Sequence, residues 1–373
     1  MKNPLRILSV IGTRPEAVKM APVLQLLSAT RGVESLVCVT AQHREMLDQV
    51  LGLFEIEPDF DLDLMQPDQT LAQLTAAIFT HLDPVLREVQ PDWVLAQGDT
   101  TTVMATALLA YYHRVRFGHV EAGLRTGDKY QPFPEEVNRR VAGVTADLHF
   151  APTEQSRQNL LNENVPLGRI VVTGNPVIDA LRQAALKAPP PEIVELLDGL
   201  GKRRLVLVTA HRRENFGGPL KDICMALKLL AETYEDSVQI VYPVHLNPNV
   251  QNTVYPRLEK VPNISLLPPL DYLPMVHLMK RATLVLTDSG GLQEEAPGLG
   301  VPVLVMRQLT ERPEGIAAGT VRLVGTNTAK IVAETRRLLD DPAEHAKMAQ
   351  AANPYGDGHA AQRIVDAILA YPE

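Results

Sequence analysis

The sequence predicts an α/β protein built from two doubly wound, Rossmann-like domains that face a central cleft. Three observations point there. Short β-branched runs alternate with longer stretches carrying apolar residues at helical spacing, the alternation breaks and restarts once around a proline cluster, and 373 residues suffice for two separate cores.

In the first half the strand candidates are RILSVIG from Arg6, ESLVCVT from Glu34, DWVLAQ from Asp92, VRFGHV from Val115 and RIVVTG from Arg169. Between them, Glu16 to Ser28 and Leu71 to Val89 have helical periodicity. Such alternation means parallel strands covered by helices on both faces. A composition break follows Pro176, where LRQAALKAPPPEIVELLDGLGKR holds three consecutive prolines and then a short helical pattern, and it reads as a linker. The alternation restarts with RLVLVTA, SVQIVYPV, ISLLP, TLVLTD, VPVLVM and TVRLVG. The expected domains are therefore residues 1–178 and 179–358, with the helical stretch 359–373 packing back onto the first.

Lys plus Arg number 36 and Asp plus Glu 44, a net charge of −8 that argues against nucleic acid or an anionic membrane as the main partner. A small basic pocket for a phosphorylated ligand remains compatible with it. Cys38 and Cys224 lie far apart in apolar stretches and read as buried thiols of a cytosolic protein. The apolar run near the N-terminus is too short for a signal peptide or a spanning helix, and no other stretch approaches membrane length. A cytoplasmic location is expected.

Ligands of parallel sheets bind beyond the carboxyl ends of the strands, so the loops there carry the information. After the first strand comes Gly12-Thr13-Arg14-Pro15-Glu16, with Lys19 one turn on. Thr13 and Glu16 suit a capping box and Pro15 a first helical turn. Arg14 and Lys19 are not needed for capping, and two cations at a helix N-terminus suit a phosphate. Capping alone and capping plus anion binding stand as equal readings. Neither a GxGxxG fingerprint nor a Walker loop is present.

After DWVLAQ comes Gly98-Asp99-Thr100-Thr101-Thr102, where Asp99 alone reads as an N-cap. After RFGHV comes Glu121-Ala122-Gly123, a carboxylate directly following an apolar strand. Pro132-Phe133-Pro134 then precedes Glu135-Glu136 at a helix start, where either Glu suits the dipole. Singly these are weak signals. Together, three loops present carboxylates to one sheet edge, a pattern that points to acid–base chemistry.

In the second half, His211-Arg212-Arg213 ends a strand, with a solvated basic loop as the plain alternative. Ser289-Gly290-Gly291 opens a helix after TLVLTD. Ser289 can cap, the glycines let a phosphate approach the backbone, and Glu295 lies one turn further, within reach of ribose hydroxyls. Arg312 sits in another loop after a strand. No HExxH, paired-Cys or GxSxG pattern occurs, so neither a catalytic metal nor a cofactor is expected.

These residues resemble the non-hydrolysing UDP-N-acetylglucosamine 2-epimerases, whose two-domain architecture is shared with many glycosyltransferases (the glycosyltransferase-B-like arrangement). The matching stretches are GTRPEAVKMAPV, TAQHREMLDQVL, QGDTTT, HVEAGLRTGDKYQPFPEEVNRR, TGNPVIDAL, TAHRREN, DSGGLQEEAPGLGVPVLVMR and TERPEGIAAGTVRLVG, in family order over nearly the whole chain. The resemblance implies catalytic roles for Asp99, Glu121, Glu135 and His211. It implies phosphate or uridine contacts for Arg14, Lys19, His211, Ser289, Gly290, Gly291, Glu295 and Arg312. Met275 stands where some relatives carry an aromatic beside the uracil. Some bacterial relatives bind a second UDP-N-acetylglucosamine as an activator, and Gln42, His43 and His245 fit that pattern, whereas Asp68 stands where some relatives have an arginine. A homodimer and a role in making cell-surface polysaccharide precursors are further implications.

The implied chemistry explains why such groups are needed. C2 of the sugar is not next to a carbonyl and cannot be deprotonated directly. Breaking the bond from C1 to the diphosphate first creates cationic character at C1, which acidifies the C2 hydrogen. A carboxylate then removes it, giving UDP and 2-acetamidoglucal. Returning a proton to the other face, with UDP re-adding, yields UDP-N-acetylmannosamine. Cations and a helix N-terminus serve the leaving UDP, carboxylates serve the cation and the proton, and a closed site excludes water. Three rivals remain: a glycosyltransferase of the same architecture, a hydrolysing 2-epimerase releasing free N-acetylmannosamine, and a nucleotide-sugar binder without catalysis. The carboxylate set weighs against the binder.

Overall fold

The computed structural model describes residues 4–40, 44–66 and 68–372, with the side chains of 44–46 excepted. It divides into two compact units, residues 1–180 with 355–373, and residues 181–354.

The first unit holds a parallel sheet of seven strands. They are β1 (Leu5–Ile11), β2 (Val33–Val39), β3 (Phe60–Asp61), β4 (Trp93–Gln97), β5 (Arg116–Val120), β6 (Leu148–Ala151) and β7 (Ile170–Val172), in the order β3-β2-β1-β4-β5-β6-β7. Every residue of β4 is buried, and so are the last five of β1, because helices cover both faces. Leu8, Val10, Val94 and Phe117 meet Ile78, Leu82 and Val103 of the flanking helices in one core. β3 and β6 were not foreseen from sequence. β3 has only two residues, and the apolar run of β6 is interrupted by His149, which is buried in the sheet.

The second unit repeats the plan with six parallel strands: β8 (Arg204–Thr209), β9 (Val238–Pro243), β10 (Ile264–Leu267), β11 (Ala282–Thr287), β12 (Val303–Val305) and β13 (Val321–Leu323). Their order is β10-β9-β8-β11-β12-β13. In both sheets the order reverses beside the first strand, between β1 and β4 and between β8 and β11, and the loops at these switch points are where ligands of such folds bind.

The expected linker is mostly helical. One helix runs Pro176–Leu186, and Pro191 occupies the first turn of the next, Pro191–Gly199, a position where a missing N–H costs nothing. The boundary between units falls inside the first of these helices, after Ala180. The last helix, Ala360–Leu369, packs on Arg14–Ala29 of the first unit, its start fixed by Asp179 accepting the backbone N–H of Ala360 and Ala361 at 3.2 and 3.0 Å. Cys38 and Cys224 are buried free thiols, pushed by burial up to about 12 and about 11. No helix among the described residues is long and apolar enough to cross a membrane.

Gly123, in the loop after β5, has φ +90° and lies so close to the neighbouring helix that a Cβ would sit 2.3 Å from the Ser156 carbonyl oxygen. Gly123→Ala therefore combines backbone strain with a clash against main chain. It should lower stability by about 1–3 kcal/mol, seen as an earlier midpoint in urea unfolding; an unchanged midpoint would show that the loop repacks freely.

Candidate active site

The carboxyl ends of β1, β4 and β5 carry the first cluster. Glu121 follows β5 directly and is 7% exposed. Its backbone is left-handed, φ +63°, a conformation that a non-glycine residue keeps only when its surroundings hold it. Those surroundings are donors. Lys19 Nζ donates at 2.7 and 2.8 Å to the two carboxylate oxygens, Asn175 Nδ2 donates at 2.8 Å, and Gln97 Nε2 donates from the end of β4. Lys19 thus serves this carboxylate within the first unit. Gln97 and Asn175 were missed in the sequence, although QGDTTT and TGNPVIDAL contain them.

Asp99 is not the helix cap. Thr100 caps Thr101–His113 by accepting from Val103 N–H, while the Asp99 carboxylate accepts from Arg139 and its carbonyl accepts from Asn138 Nδ2 at 2.9 Å. Arg139 and Asn138 lie on the helix Glu135–Thr145, so Asp99 is tied to the element that Glu135 begins. The paired acids at that helix start have separate fates. Glu136 is fully buried and accepts from Arg139, Arg140 and the backbone N–H of Thr126 and Gly127, holding the preceding loop. Glu135 keeps a buried Oε2 with no hydrogen-bond partner. A buried acid oxygen without a partner is what a proton-transfer group needs.

Thr13 and Glu16 do not form the expected capping box. Thr13 makes no side-chain cap. Instead Glu16 turns inward, 2% exposed, and accepts from Gly12 N–H at 2.6 Å and Thr13 Oγ1 at 2.9 Å. Burial, with the charge of Asp99 adding to it, pushes Glu16 up to about 7. Arg14 is half-buried at the same helix start.

In the second unit the loop after β8 is organised by Asp288, at the end of β11 and fully buried. It accepts from the backbone N–H of His211 at 2.9 and 3.1 Å, from that of Arg212 at 2.8 Å, and from Asn215 Nδ2 at 2.9 Å. Neither Asp288 nor Asn215 was singled out from sequence. His211 Nδ1 lies 3.7 Å from Asp288 and its ring stacks on His245, centroids 5.4 Å apart. Burial holds the His211 imidazole below its ordinary value, so it is neutral near pH 7. His245 therefore lies against the candidate catalytic histidine, while Gln42 and His43 fall outside the described residues.

Ser289 precedes the helix Gly290–Gly298 but makes no side-chain cap, contrary to expectation, so its hydroxyl is not spent on its own helix. A Cβ on Gly290 would lie 3.6 Å from Arg212 Nη2 and 3.8 Å from Arg312 Cζ, which places two guanidinium groups at this N-terminus. Glu295 curls back, its Oε1 3.2 Å from where a Cβ of Gly291 would be. Its buried neighbour Glu294 pairs with Arg312. Glu311 links Arg307, Arg212 and Arg312, at 2.6, 3.8 and 3.9 Å. Helix dipole, glycine backbone and cations at one helix start are features that suit an anion. Met275 is half-buried on the helix Tyr272–Arg281. Among the described residues no group of three or more His, Cys, Asp or Glu side chains is placed to hold a metal ion.

Two Rossmann-like sheets, one with glycine backbone and guanidinium groups at a helix start and the other with carboxylates in its strand-end loops, make a two-domain protein of the glycosyltransferase-like fold. A glycosyltransferase of kitacinnamycin has the same fold at 13% identity, with a TM-score of 0.62 over 98% of this chain and 96% of that one. The profile of the family described as UDP-N-acetylglucosamine 2-epimerase matches residues 25–369. The UDP-N-acetylglucosamine 2-epimerase of Yersinia pestis is 55% identical over 98% of each chain. The crystal structure of UDP-GlcNAc 2-epimerase from Neisseria meningitidis bound to UDP-GlcNAc is 48% identical, with a TM-score of 0.90 over 98% of this chain and 100% of that one. The chain belongs to the UDP-N-acetylglucosamine 2-epimerase family and is an isomerase.

Glu16 gives this site a pH signature in stability. Its carboxyl goes from 4.5 when unfolded to about 7 when folded, so between these values the folded state binds the extra proton and stability falls as pH rises. Glu16→Gln keeps an oxygen for Gly12 N–H and removes the titration. The variant should gain stability relative to the native chain as pH rises from 4.5 to 7, and the difference should level off above that. Denaturation curves at several pH values measure it, and a difference independent of pH would contradict the assignment.

Proposed function

We propose that this chain interconverts UDP-N-acetylglucosamine and UDP-N-acetylmannosamine without hydrolysis, by eliminating UDP to give 2-acetamidoglucal and adding it back. It would do so in the cytoplasm, supplying a precursor for cell-surface polysaccharides. The observation that carries the reading is the division among the three carboxylates of the first unit. Lys19, Gln97 and Asn175 all donate to Glu121, which suits a fixed negative charge facing cationic character at C1. Glu135, with an unpartnered oxygen, and Asp99, bound to one guanidinium, suit proton transfer on the two faces of C2.

The second unit supports the leaving group. Arg212, Arg312 and the backbone at Ser289-Gly290-Gly291 would take the diphosphate, neutral His211 would donate to it, and Glu295 would reach the ribose. Arg14 supplies a further cation at the helix start of the first unit. The UDP-GlcNAc bound to the Neisseria meningitidis enzyme agrees with this substrate. His245 beside His211 also gives a second, activating UDP-N-acetylglucosamine a route to the leaving group, through the stacked rings.

A homodimer is part of the reading. Tyr111 and Tyr112 are 63% and 65% exposed on the helix Thr101–His113, and Tyr112 lies 6.4 Å, ring to ring, from Phe79 on Leu71–Val89. Two exposed tyrosines on one helix, one of them against the half-buried Phe79 of the neighbouring helix, fit a second copy of the chain. The double variant Tyr111→Glu, Tyr112→Glu should sediment as a monomer, and an undiminished dimer would remove this face from the interface.

Epimerisation in deuterium oxide should place deuterium at C2, and retained protium would exclude solvent-exchanging proton transfer. Asp99→Asn, Glu121→Gln and Glu135→Gln should each lose about 10²–10⁴ in rate. Substrate deuterated at C2 separates their roles. Glu121→Gln slows C1–O cleavage, so its primary isotope effect should fall toward unity. The effect should persist or grow in Asp99→Asn and Glu135→Gln. A larger effect in Glu121→Gln than in the native enzyme would make Glu121 the proton carrier instead.

A further inference from the structure

His119 is a buried titratable group with no assigned part in the epimerisation chemistry. It lies on β5 two residues before Glu121, is 1% exposed, and stacks on Phe117 with ring centroids 6.1 Å apart. Its Nε2 is 2.7 Å from the carbonyl oxygen of Gly98, while its Nδ1 has no partner. Burial lowers the imidazole to about 4, so the ring is neutral and carries one hydrogen. Opposite a carbonyl, that hydrogen must be on Nε2.

The acceptor is a significant one. The Gly98 carbonyl belongs to the peptide that leads into Asp99. The Gly98 N–H donates to the Val120 carbonyl at 2.9 Å, and the Asp99 carbonyl accepts from Asn138. The two strands brace each other. Gln97, at the end of β4, donates to the Glu121 side chain, and His119 of β5 donates to the residue after β4. Rotation of the peptide between Gly98 and Asp99 would swing Asp99 relative to Glu121, and the His119 hydrogen bond opposes it.

We propose that His119 is a positioning residue for the epimerase reaction, which fixes the peptide carrying Asp99 to the strand that ends in Glu121 and so keeps the two carboxylates at one separation. The inference rests on the acid–base role given to Asp99. Substrate binding should be indifferent to it, because the anion site belongs to the other unit.

The test uses the full-length enzyme with UDP-N-acetylglucosamine. His119→Phe preserves an aromatic ring against Phe117 and removes the donor. His119→Gln places an amide N–H near the position of Nε2. The Phe variant should lose about 10²-fold in kcat, the cost of misplacing a reacting group by about 1 Å, with KM within about twofold and unchanged UDP affinity by calorimetry. The Gln variant should recover most of the loss. In an Asp99→Asn background, His119→Phe should cost little more, because the residue it positions is already disabled. Native kcat in the Phe variant, equal losses in Phe and Gln, or an undiminished loss in the Asp99→Asn background would each overturn the proposal. If Asp99→Asn alone runs near the native rate, the acid–base reading fails together with this inference. If Asp99 is essential and His119→Phe is not slow, only the inference fails.

Discussion

The hydrogen-bonded carboxylate of Glu121 is the constraint around which the first unit is arranged. A non-glycine residue in the left-handed region costs on the order of 1–3 kcal/mol unless its surroundings compensate. Here Lys19 comes from the helix after β1, Gln97 from β4 and Asn175 from the turn before the helix Pro176–Leu186. Charge-assisted hydrogen bonds contribute roughly 1.5–3 kcal/mol each, enough to offset that strain. The same contacts bring three separate chain segments to one point at the sheet edge. Asn175 is itself held through its N–H to the Tyr355 carbonyl at 2.6 Å, so the returning C-terminal segment takes part in placing the carboxylate.

The second unit uses a buried carboxylate to the opposite end. Asp288 is spent entirely on its neighbours, accepting from two successive backbone N–H groups and Asn215. It shapes the loop that carries His211 and Arg212, and it presents nothing to a ligand. Glu294 and Glu311 act likewise on Arg312, Arg212 and Arg307. A cluster of guanidinium groups would repel itself without these acids, and on the proposed reading an anionic ligand arriving at the Gly290 helix start would meet cations whose positions are already set.

Burial also sorts the titratable groups by the job each can do. Glu16 is raised to about 7 and His119 lowered to about 4, both chiefly by desolvation. The buried imidazole keeps a single hydrogen in a fixed place, a condition for holding a backbone carbonyl in one orientation. Glu16, by contrast, adds charge to the neighbourhood of Asp99 only when it ionises.

The sequence by itself determined the two doubly wound sheets, because long apolar β-branched runs alternating with helical periodicity have few other ways to bury themselves. It also pointed to the strand-end loops, since polar residues directly after such runs must lie at the sheet's edge. Tertiary structure decided which side chain in each loop is taken up by its neighbours. Glu135 and Glu136 are equivalent by helix-dipole reasoning, yet Glu136 is consumed by the 126–127 backbone and two arginines while Glu135 keeps an oxygen open. Glu294 and Glu295 divide in the same way, one paired with Arg312 and the other turned back toward Gly291. Gln97, Asn175, Asp288 and His119 lie inside the matching stretches but were not singled out there, because the partners that give them their parts lie 24, 54, 77 and 21 residues away along the chain. Periodicity reports which face of an element is buried, whereas hydrogen bonds between segments depend on where the packed sheet brings their ends together.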